Sequence, residues 1–260
     1  MNRSFVLIAL FLSLATSVSG HGTTASRAQV ALVEKLGQTL PQDLIFYDEN
    51  TTKIDLAQYI TKPTIIAPVY LTCTHDCPLL LTGLARVISK MDLVAPGRDY
   101  QVLALSFDEK DTPGTARAKK ANYIAAIGKP FPEGSWKFLV SDRETIRKFT
   151  DAIGYTIQRD GENFTHPIGL VVVAPGGKIV RYLYGATFMP FDVTMAVNEA
   201  ARGTVGSTAG RILTYCFSYD PTEKSYVFNV LKVTGTVVIL FLGGFIVFLN
   251  VTGKRKEPKA

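Results

Sequence analysis

Strand-like and helix-like segments alternate along the middle of the chain, and this order restricts the fold more than any other feature. Apolar runs predict strands at Thr64–Tyr70, Tyr100–Phe107, Lys137–Val140, Gly169–Val173 and Lys178–Tyr184. Amphipathic spacing, first-turn prolines and a cap predict helices at Pro78–Met91, from Pro113 through Ile124, from Asp142 through Phe149 and at Pro190–Ala201. Pro175-Gly176-Gly177 is typical of a β-hairpin turn. This order predicts an α/β fold, a mixed sheet with helices on both faces.

Two local patterns give smaller predictions. Residues 21–40 are polar and mixed, so they predict a linker, with a short helical piece around Val30–Leu36. Asp108 and Asp111 precede the helix that begins at Pro113, and we interpret them as capping groups for that helix.

The two ends of the chain predict its topology. Residues 1–20 run from a basic start through a short apolar stretch to small residues, which is typical of a signal peptide. Residues 227–251 are almost wholly apolar and long enough for a transmembrane helix, and residues 252–260 form a basic tail. Because basic flanks stay on the cytoplasmic side, we expect a single-pass protein of the cell membrane. Its soluble part would then lie on the extracytoplasmic, periplasmic side.

Between these ends the length suits one domain, at 41–205, followed by a juxtamembrane segment at 206–226. The formal net charge is +6 for 260 residues, and Arg3 and the basic tail supply four of these charges. The remaining domain is therefore nearly neutral, which argues against a nucleic-acid partner.

Two cysteines lie where a strand is predicted to turn into a helix. Cys73 and Cys77 are separated by three residues and followed by Pro78. Free N–H groups and the dipole at a helix N-terminus stabilise a thiolate, which favours metal binding and disulfide exchange alike. A structural disulfide is the alternative, but so small a loop would add little stability. The third cysteine, Cys216, is interpreted as buried or unreactive.

Three histidines are available as further ligands: His21, His75 and His166. Two soft thiolates suit Cu(I), and an added imidazole suits Cu(II) as well. His75 lies between the cysteines, whereas His166 lies in a loop before the predicted hairpin, and the pattern favours His166 only slightly. A closed zinc site normally needs four ligands, and calcium prefers hard oxygen ligands, so both ions are disfavoured.

Several motifs taken in order resemble the SCO/SenC family of thioredoxin-like copper proteins. They are Cys73-x-x-x-Cys77-Pro78, Ser106-Phe107-Asp108-x-x-Asp111-Thr112-Pro113, and His166 followed by Pro175-Gly176-Gly177-Lys178-Ile179. Lys178–Gly185 and Cys216-x-x-Tyr219-Asp220-Pro221 resemble a subgroup with a C-terminal membrane span. The chain departs from the family at Thr74-His75-Asp76, where a proline and an aspartate are usual, and at Phe217-Ser218, where the subgroup commonly has Tyr-His.

The resemblance implies a thioredoxin-like fold with Cys73, Cys77 and His166 as copper ligands, and His75 is not a ligand position in the family. It also implies assistance in building the dinuclear copper centre of cytochrome c oxidase, by copper delivery, by reduction of cysteines, or both. The expected partners are the copper-bearing oxidase subunit, other copper chaperones, thioredoxin-like reductants and the membrane. Such a protein is a metallochaperone rather than an enzyme. The alternative is an extracytoplasmic thiol–disulfide oxidoreductase, with Cys73 and Cys77 as redox thiols and no copper. A peroxidase is a weaker hypothesis, because no supporting residues are recognisable.

Overall fold

The structure is a computed structural model that describes residues 30–205, 217–220, 225–228, 234–235 and 238–245. The strands are β1 (Ala31–Leu32), β2 (Ile45–Asp48), β3 (Lys53–Asp55), β4 (Thr64–Val69), β5 (Gln101–Ser106), β6 (Trp136–Val140), β7 (Tyr155–Thr156), β8 (Gln158–Asp160), β9 (Asn163–Thr165), β10 (Gly169–Val173), β11 (Ile179–Tyr184), β12 (Phe217–Asp220) and β13 (Ser225–Phe228). The helices are α1 (Leu56–Tyr59), α2 (Asp76–Ser89), α3 (Pro113–Ala126), α4 (Arg143–Ala152) and α5 (Pro190–Ala201).

Seven strands form one mixed sheet in the order β11-β10-β4-β5-β6-β2-β3. Strands β4, β5 and β6 are parallel, and the neighbours on either side of them are antiparallel. This confirms the predicted mixed α/β sheet, and its architecture fits a thioredoxin-like fold. The β10–β11 hairpin around Pro175–Gly177 is confirmed as well.

The central strands lie in the core. Every residue of β4, β5 and β10 is buried, which requires cover on both faces of the sheet. On β2, Phe46 packs edge-on against Phe149 of α4, with ring centroids 5.9 Å apart. Helix α3 contacts β6, and α5 contacts β10 and β11. Asp142 caps α4 as predicted, accepting a hydrogen bond from the Thr145 N–H at 2.9 Å.

Proline in a central strand normally removes a ladder hydrogen bond, yet Pro68 lies in β4. The Val69 carbonyl accepts the Phe107 N–H at 2.8 Å, so Val69 faces the β5 side. Because backbone groups alternate along a strand, Pro68 faces the β10 side. Pairing with β10 has already ended there, at Ile66 opposite Val171. The proline therefore lies where β4 and β10 separate, which is where the loop before β10 approaches the end of β4.

The predicted helical piece around Val30–Leu36 is wrong. Residues 31 and 32 form β1, which pairs with β7 through Ala31 opposite Thr156 and Leu32 opposite Tyr155. The Val33 N–H also donates to the Gly154 carbonyl at 2.8 Å. Pairing with a distant strand overrides the local helical pattern, since a short helix has little stability of its own.

The predicted signal peptide lies outside the described residues, and so do residues 206–216 and most of the predicted span. Residues 238–245 of that span are helical. Across the described parts of the chain, no helix has the length and apolar character needed to cross a membrane.

Gly83 allows a close contact between α2 and the segment that follows β11. A Cβ atom placed on Gly83 would lie 1.8 Å from the Ala186 carbonyl oxygen. We expect Gly83→Ala to lower the free energy of unfolding by about 2 kcal/mol or more, since this clash outweighs the better helix propensity of alanine. Denaturant unfolding measures the change. Gly114→Ala is the matched control, because its Cβ would meet only Thr112 Oγ1, at 3.6 Å, and it should be neutral or stabilising. Equal stability of the two variants would contradict the contact.

Candidate metal centre

Three loops meet at the carboxyl ends of the parallel strands. One follows β4 and leads into α2, the second follows β5, and the third joins β9 to β10. Connections at this edge of a parallel sheet are the usual place for a site. The β4–α2 loop contains Cys73, α2 begins at Asp76 and contains Cys77 in its first turn, and the third loop contains His166.

Cys73, Cys77 and His166 form a compact group. Their potential ligand atoms all lie within 4.8 Å of one another. The Cys77 sulfur is 3.8 Å from His166 Nε2, and the Cys77 N–H lies 3.5 Å from the Cys73 sulfur. All three side chains are buried, and both cysteines are free thiols. Two sulfurs and one imidazole nitrogen therefore converge on one small volume.

The backbone fixes which nitrogen of His166 faces the sulfurs. His166 Nδ1 lies 2.8 Å from the Pro167 carbonyl oxygen, which only accepts hydrogen bonds, so Nδ1 is the donor. The Tyr155 hydroxyl lies 3.1 Å from the same nitrogen and also donates to the Pro167 carbonyl. In the neutral imidazole, Nε2 then presents its lone pair to Cys77. This is the arrangement that a metal-ligating histidine adopts.

The two thiols have opposite electrostatic environments. The pKa of Cys73 is lowered, chiefly because the Cys77 side chain hydrogen-bonds to its thiolate. The pKa of Cys77 is raised, chiefly by burial and then by the neighbouring Cys73. One buried negative charge is thus shared by the pair, and it is located mainly on Cys73. A thiolate is the form that attacks disulfides and binds metals.

Aromatic rings pack around His166 within the core. Phe107 and Tyr70 lie 5.1 Å and 5.8 Å from the His166 ring, measured between centroids. Phe164 packs on both of these rings, at 5.3 Å and 5.0 Å. The Tyr70 N–H donates to the Cys77 sulfur at 3.4 Å, and burial raises the pKa of the Tyr70 phenol. These rings exclude water from one side of the site.

Asp111 holds the cysteine loop against β5. Its Oδ2 atom accepts the Leu71 N–H and the Ser106 hydroxyl, both at 2.6 Å. Asp108 instead accepts from the Arg159 guanidinium at 2.9 Å. The predicted capping role of both aspartates is wrong, because Thr112 caps α3. The two carboxylates satisfy long-range donors at the end of β5 instead.

His75 does not join the group. It is exposed, and its Nδ1 atom lies 2.8 Å from the Thr74 hydroxyl. Among the described residues, the potential metal ligands that lie together are Cys73, Cys77 and His166. His21 and Cys216 lie outside those residues.

Sequence reasoning missed Tyr70, Tyr155 and the true partners of Asp111. Tyr155 precedes His166 by eleven residues and has no motif of its own. A tyrosine near a histidine in sequence gives no signal of a shared hydrogen bond. The apolar strand pattern around Tyr70 likewise indicates burial rather than contact with a thiol.

Comparison with known proteins gives relatives among solved structures, whereas no family model and no curated protein matches the chain. A candidate electron transfer protein from Aquifex aeolicus VF5 is 31% identical, with a TM-score of 0.58, over 65% of this chain and 95% of that protein. Arabidopsis thaliana ScoI, solved with copper bound, is 18% identical, with a TM-score of 0.51, over 65% of this chain and 99% of that one. BsSco, a member of the Sco family of cytochrome c oxidase assembly proteins, is 17% identical, with a TM-score of 0.52, over 66% of this chain and 99% of that one.

The last two likenesses show a shared fold. The Aquifex protein is related in sequence as well, over nearly its whole length, and all three match about the same share of this chain. The chain therefore shares the fold of the Sco proteins, which supports the Sco/SenC resemblance of its motifs.

Proposed function

We propose that the protein binds copper through Cys73, Cys77 and His166 and assists assembly of the dinuclear copper centre of cytochrome c oxidase. The observation behind this proposal is the buried group of two free thiols and one imidazole whose Nε2 lone pair faces them. The copper-bound structure of Arabidopsis ScoI and the assembly role stated for the BsSco family support it.

The donor set fits copper as cargo. Two thiolates suit Cu(I), and a thiolate–imidazole set accommodates Cu(II) as well. The hydrogen bond from Nδ1 to the Pro167 carbonyl keeps Nε2 free for the ion. With three protein ligands the coordination sphere stays open to a ligand from a partner protein. An open position favours transfer to the copper-bearing oxidase subunit over permanent storage.

A second function, thiol–disulfide exchange without copper, is favoured by the opposite pKa shifts of the two thiols. The Cys73 thiolate would attack one sulfur of a disulfide in the partner and release the other partner sulfur as a thiolate. Cys77, after losing its proton, would attack Cys73, release the second partner thiolate and form the Cys73–Cys77 disulfide. The partner is reduced by two electrons, and the thiol pair supplies them. This chemistry has no need of His166.

We further propose that the domain lies on the periplasmic side of the cell membrane and is tethered through residues 227–251. The apolar length of that segment and the basic residues after it support this topology. A Lys53→Cys variant places a thiol at an exposed position of the domain. Labelling it with a thiol reagent that cannot cross the cell membrane, in intact cells and in lysed cells, tests the side of the membrane. Labelling only after lysis would contradict it.

The copper proposal is tested by titrating Cu(I) into the reduced protein in competition with a chromophoric chelator. We expect wild type to bind one equivalent. The double variant Cys73→Ala/Cys77→Ala should bind at least about a hundredfold more weakly, because both soft ligands are gone. Thermal unfolding of both proteins without metal is the control for folding. Equal affinity of the two proteins would refute the proposed function.

A further inference from the structure

Apolar side chains are exposed beside the metal centre. Leu79 follows Pro78 in the first turn of α2 and is 61% exposed, while Met189 and Phe191 are 66% and 69% exposed at the start of α5. Exposed large apolar side chains scattered singly are ordinary, but a cluster of them marks an interaction surface.

Leu79 lines a cavity of about 510 Å³, which we call the α2 groove. One wall is the outer face of α2, and the other is the segment between β11 and α5. The lining residues are Pro78, Leu79, Thr82, Gly83, Arg86, Val87, Lys90, Ala186, Thr187, Phe188 and Pro190. Met189 and Phe191 flank the lining residue Pro190. The two walls approach closely where Gly83 lies against the Ala186 carbonyl.

The lining of the α2 groove is apolar at one end and basic at the other. Its apolar end is next to Cys77, whereas Arg86 and Lys90 lie at its far end. The spacing from Pro78 to Arg86 is eight residues, or about 12 Å along the helix. Both basic side chains are exposed, and neither forms an ion pair in the part of the chain that the structure describes. The lining residues include no acidic side chain.

We propose that the α2 groove is the docking site for the copper-bearing subunit of the oxidase, an inference that rests on the proposed function. The groove fits a segment of that partner with apolar side chains beside its copper-binding cysteines and acidic side chains about 12 Å further along. Apolar anchors next to Cys77 would hold the two sets of sulfurs together during transfer. Unpaired basic residues at the far end would attract the acidic part and set the orientation.

The experiment uses the full-length protein in detergent and, as the probe, the copper-free soluble domain of the copper-bearing oxidase subunit from the same organism. Dissociation constants are measured by titration for wild type, for Leu79→Ser/Phe191→Ser and for Arg86→Glu/Lys90→Glu. The matched controls are Leu93→Ser, an 83% exposed leucine elsewhere, and Lys53→Glu, an exposed lysine on the edge strand β3. Copper affinity is measured for every variant.

We expect the apolar double variant to bind the probe at least about tenfold more weakly. The charge-reversal variant should weaken binding about threefold to tenfold at low salt and less at high salt. Copper affinity and both control variants should stay at wild-type values. If wild type binds the probe and the groove variants bind it equally well, the docking site is refuted while the proposed function stands. If wild type fails to bind the probe, the partner and the docking site are both refuted.

A second measurement separates a protein partner from a lipid surface. The same full-length variants, reconstituted in detergent-free nanodiscs that hold the proposed span, are mixed with vesicles containing phosphatidylglycerol, and sedimentation measures binding. Vesicle binding that depends on Leu79 and Phe191, without an effect on the probe, would overturn the proposal in favour of a membrane contact. Vesicle binding that is equal in wild type and variants agrees with the proposal.

Discussion

Replacing His166 with alanine should lower the affinity for Cu(II) by at least about a hundredfold. Loss of a group that only orients a metal ligand typically costs tenfold to a hundredfold, so loss of the ligand itself should cost no less. Cu(I) affinity should fall less, because the two thiolates remain. Thiol–disulfide exchange through Cys73 and Cys77 should continue. The Cu(II) titration is followed through the thiolate-to-copper charge-transfer absorption.

Two variants accompany this experiment. His75→Ala is the matched control, because His75 lies between the cysteines in sequence but is exposed and bonded to Thr74. It should leave copper affinity nearly unchanged. Tyr155→Phe removes one hydrogen-bond partner of His166 and leaves the Pro167 carbonyl, so an intermediate loss of about tenfold is expected. A large effect of His75→Ala together with none of His166→Ala would reverse the ligand assignment.

The His166 variant also separates the two candidate functions. Loss of oxidase assembly with intact disulfide exchange would show that copper is the essential cargo. Unchanged assembly would show that the thiol chemistry alone is needed. The variant can separate the two functions because His166 contacts Cys77 but supplies neither the thiols nor the electrons that disulfide exchange uses.

Local signals in the sequence predict the main elements of the site well. The position of Cys73 and Cys77 follows from an apolar strand and a proline at the first turn of a helix, both short-range features. The choice between His75 and His166 depends on which histidine the fold brings to the cysteines. The loop with His166 reaches the end of β4 because β4 and β10 separate beyond the pairing of Ile66 with Val171. No local sequence pattern shows where that separation occurs.

Long-range pairing also explains the two sequence predictions that are wrong. Asp111 has the spacing of a helix cap, but it accepts from Leu71, forty residues earlier in the chain. The Val30–Leu36 pattern is compatible with a helix, yet pairing with β7 gives β1. In both cases a local preference worth a fraction of a kcal/mol to about 1 kcal/mol competes with buried hydrogen bonds, whose loss would cost more free energy.

Asp111→Ala should lower the free energy of unfolding by about 2–4 kcal/mol. The substitution leaves the Leu71 N–H and the Ser106 hydroxyl buried without their acceptor, and each such loss costs about 1–3 kcal/mol. The same change releases the loop that contains Cys73. We therefore expect faster alkylation of the thiols in addition to lower stability, and denaturant unfolding and thiol labelling measure the two effects.

Asp111→Asn distinguishes the hydrogen bonds from the charge. Both donors bond to the same oxygen, Oδ2, and the amide keeps one oxygen that can take its place. Burial raises the pKa of Asp111 above its ordinary value of 3.8. The folded state therefore binds the carboxyl proton of Asp111 more tightly than the unfolded state does. The stabilisation that comes from this proton is fully present below pH 3.8. It is lost as the pH rises through the raised pKa, so the stability of the asparagine variant relative to wild type should increase over that window.

Asp142→Ala is the matched control, because Asp142 is a cap with one bonded N–H at the exposed start of α4. Its loss should cost about 1 kcal/mol and leave thiol labelling unchanged. If Asp111→Ala destabilises the protein no more than this and leaves the thiols equally protected, Asp111 does not hold the cysteine loop. If both effects appear in Asp111→Ala and are absent from Asp111→Asn, the buried carboxyl positions Cys73 through the Leu71 N–H, and its negative charge is not required.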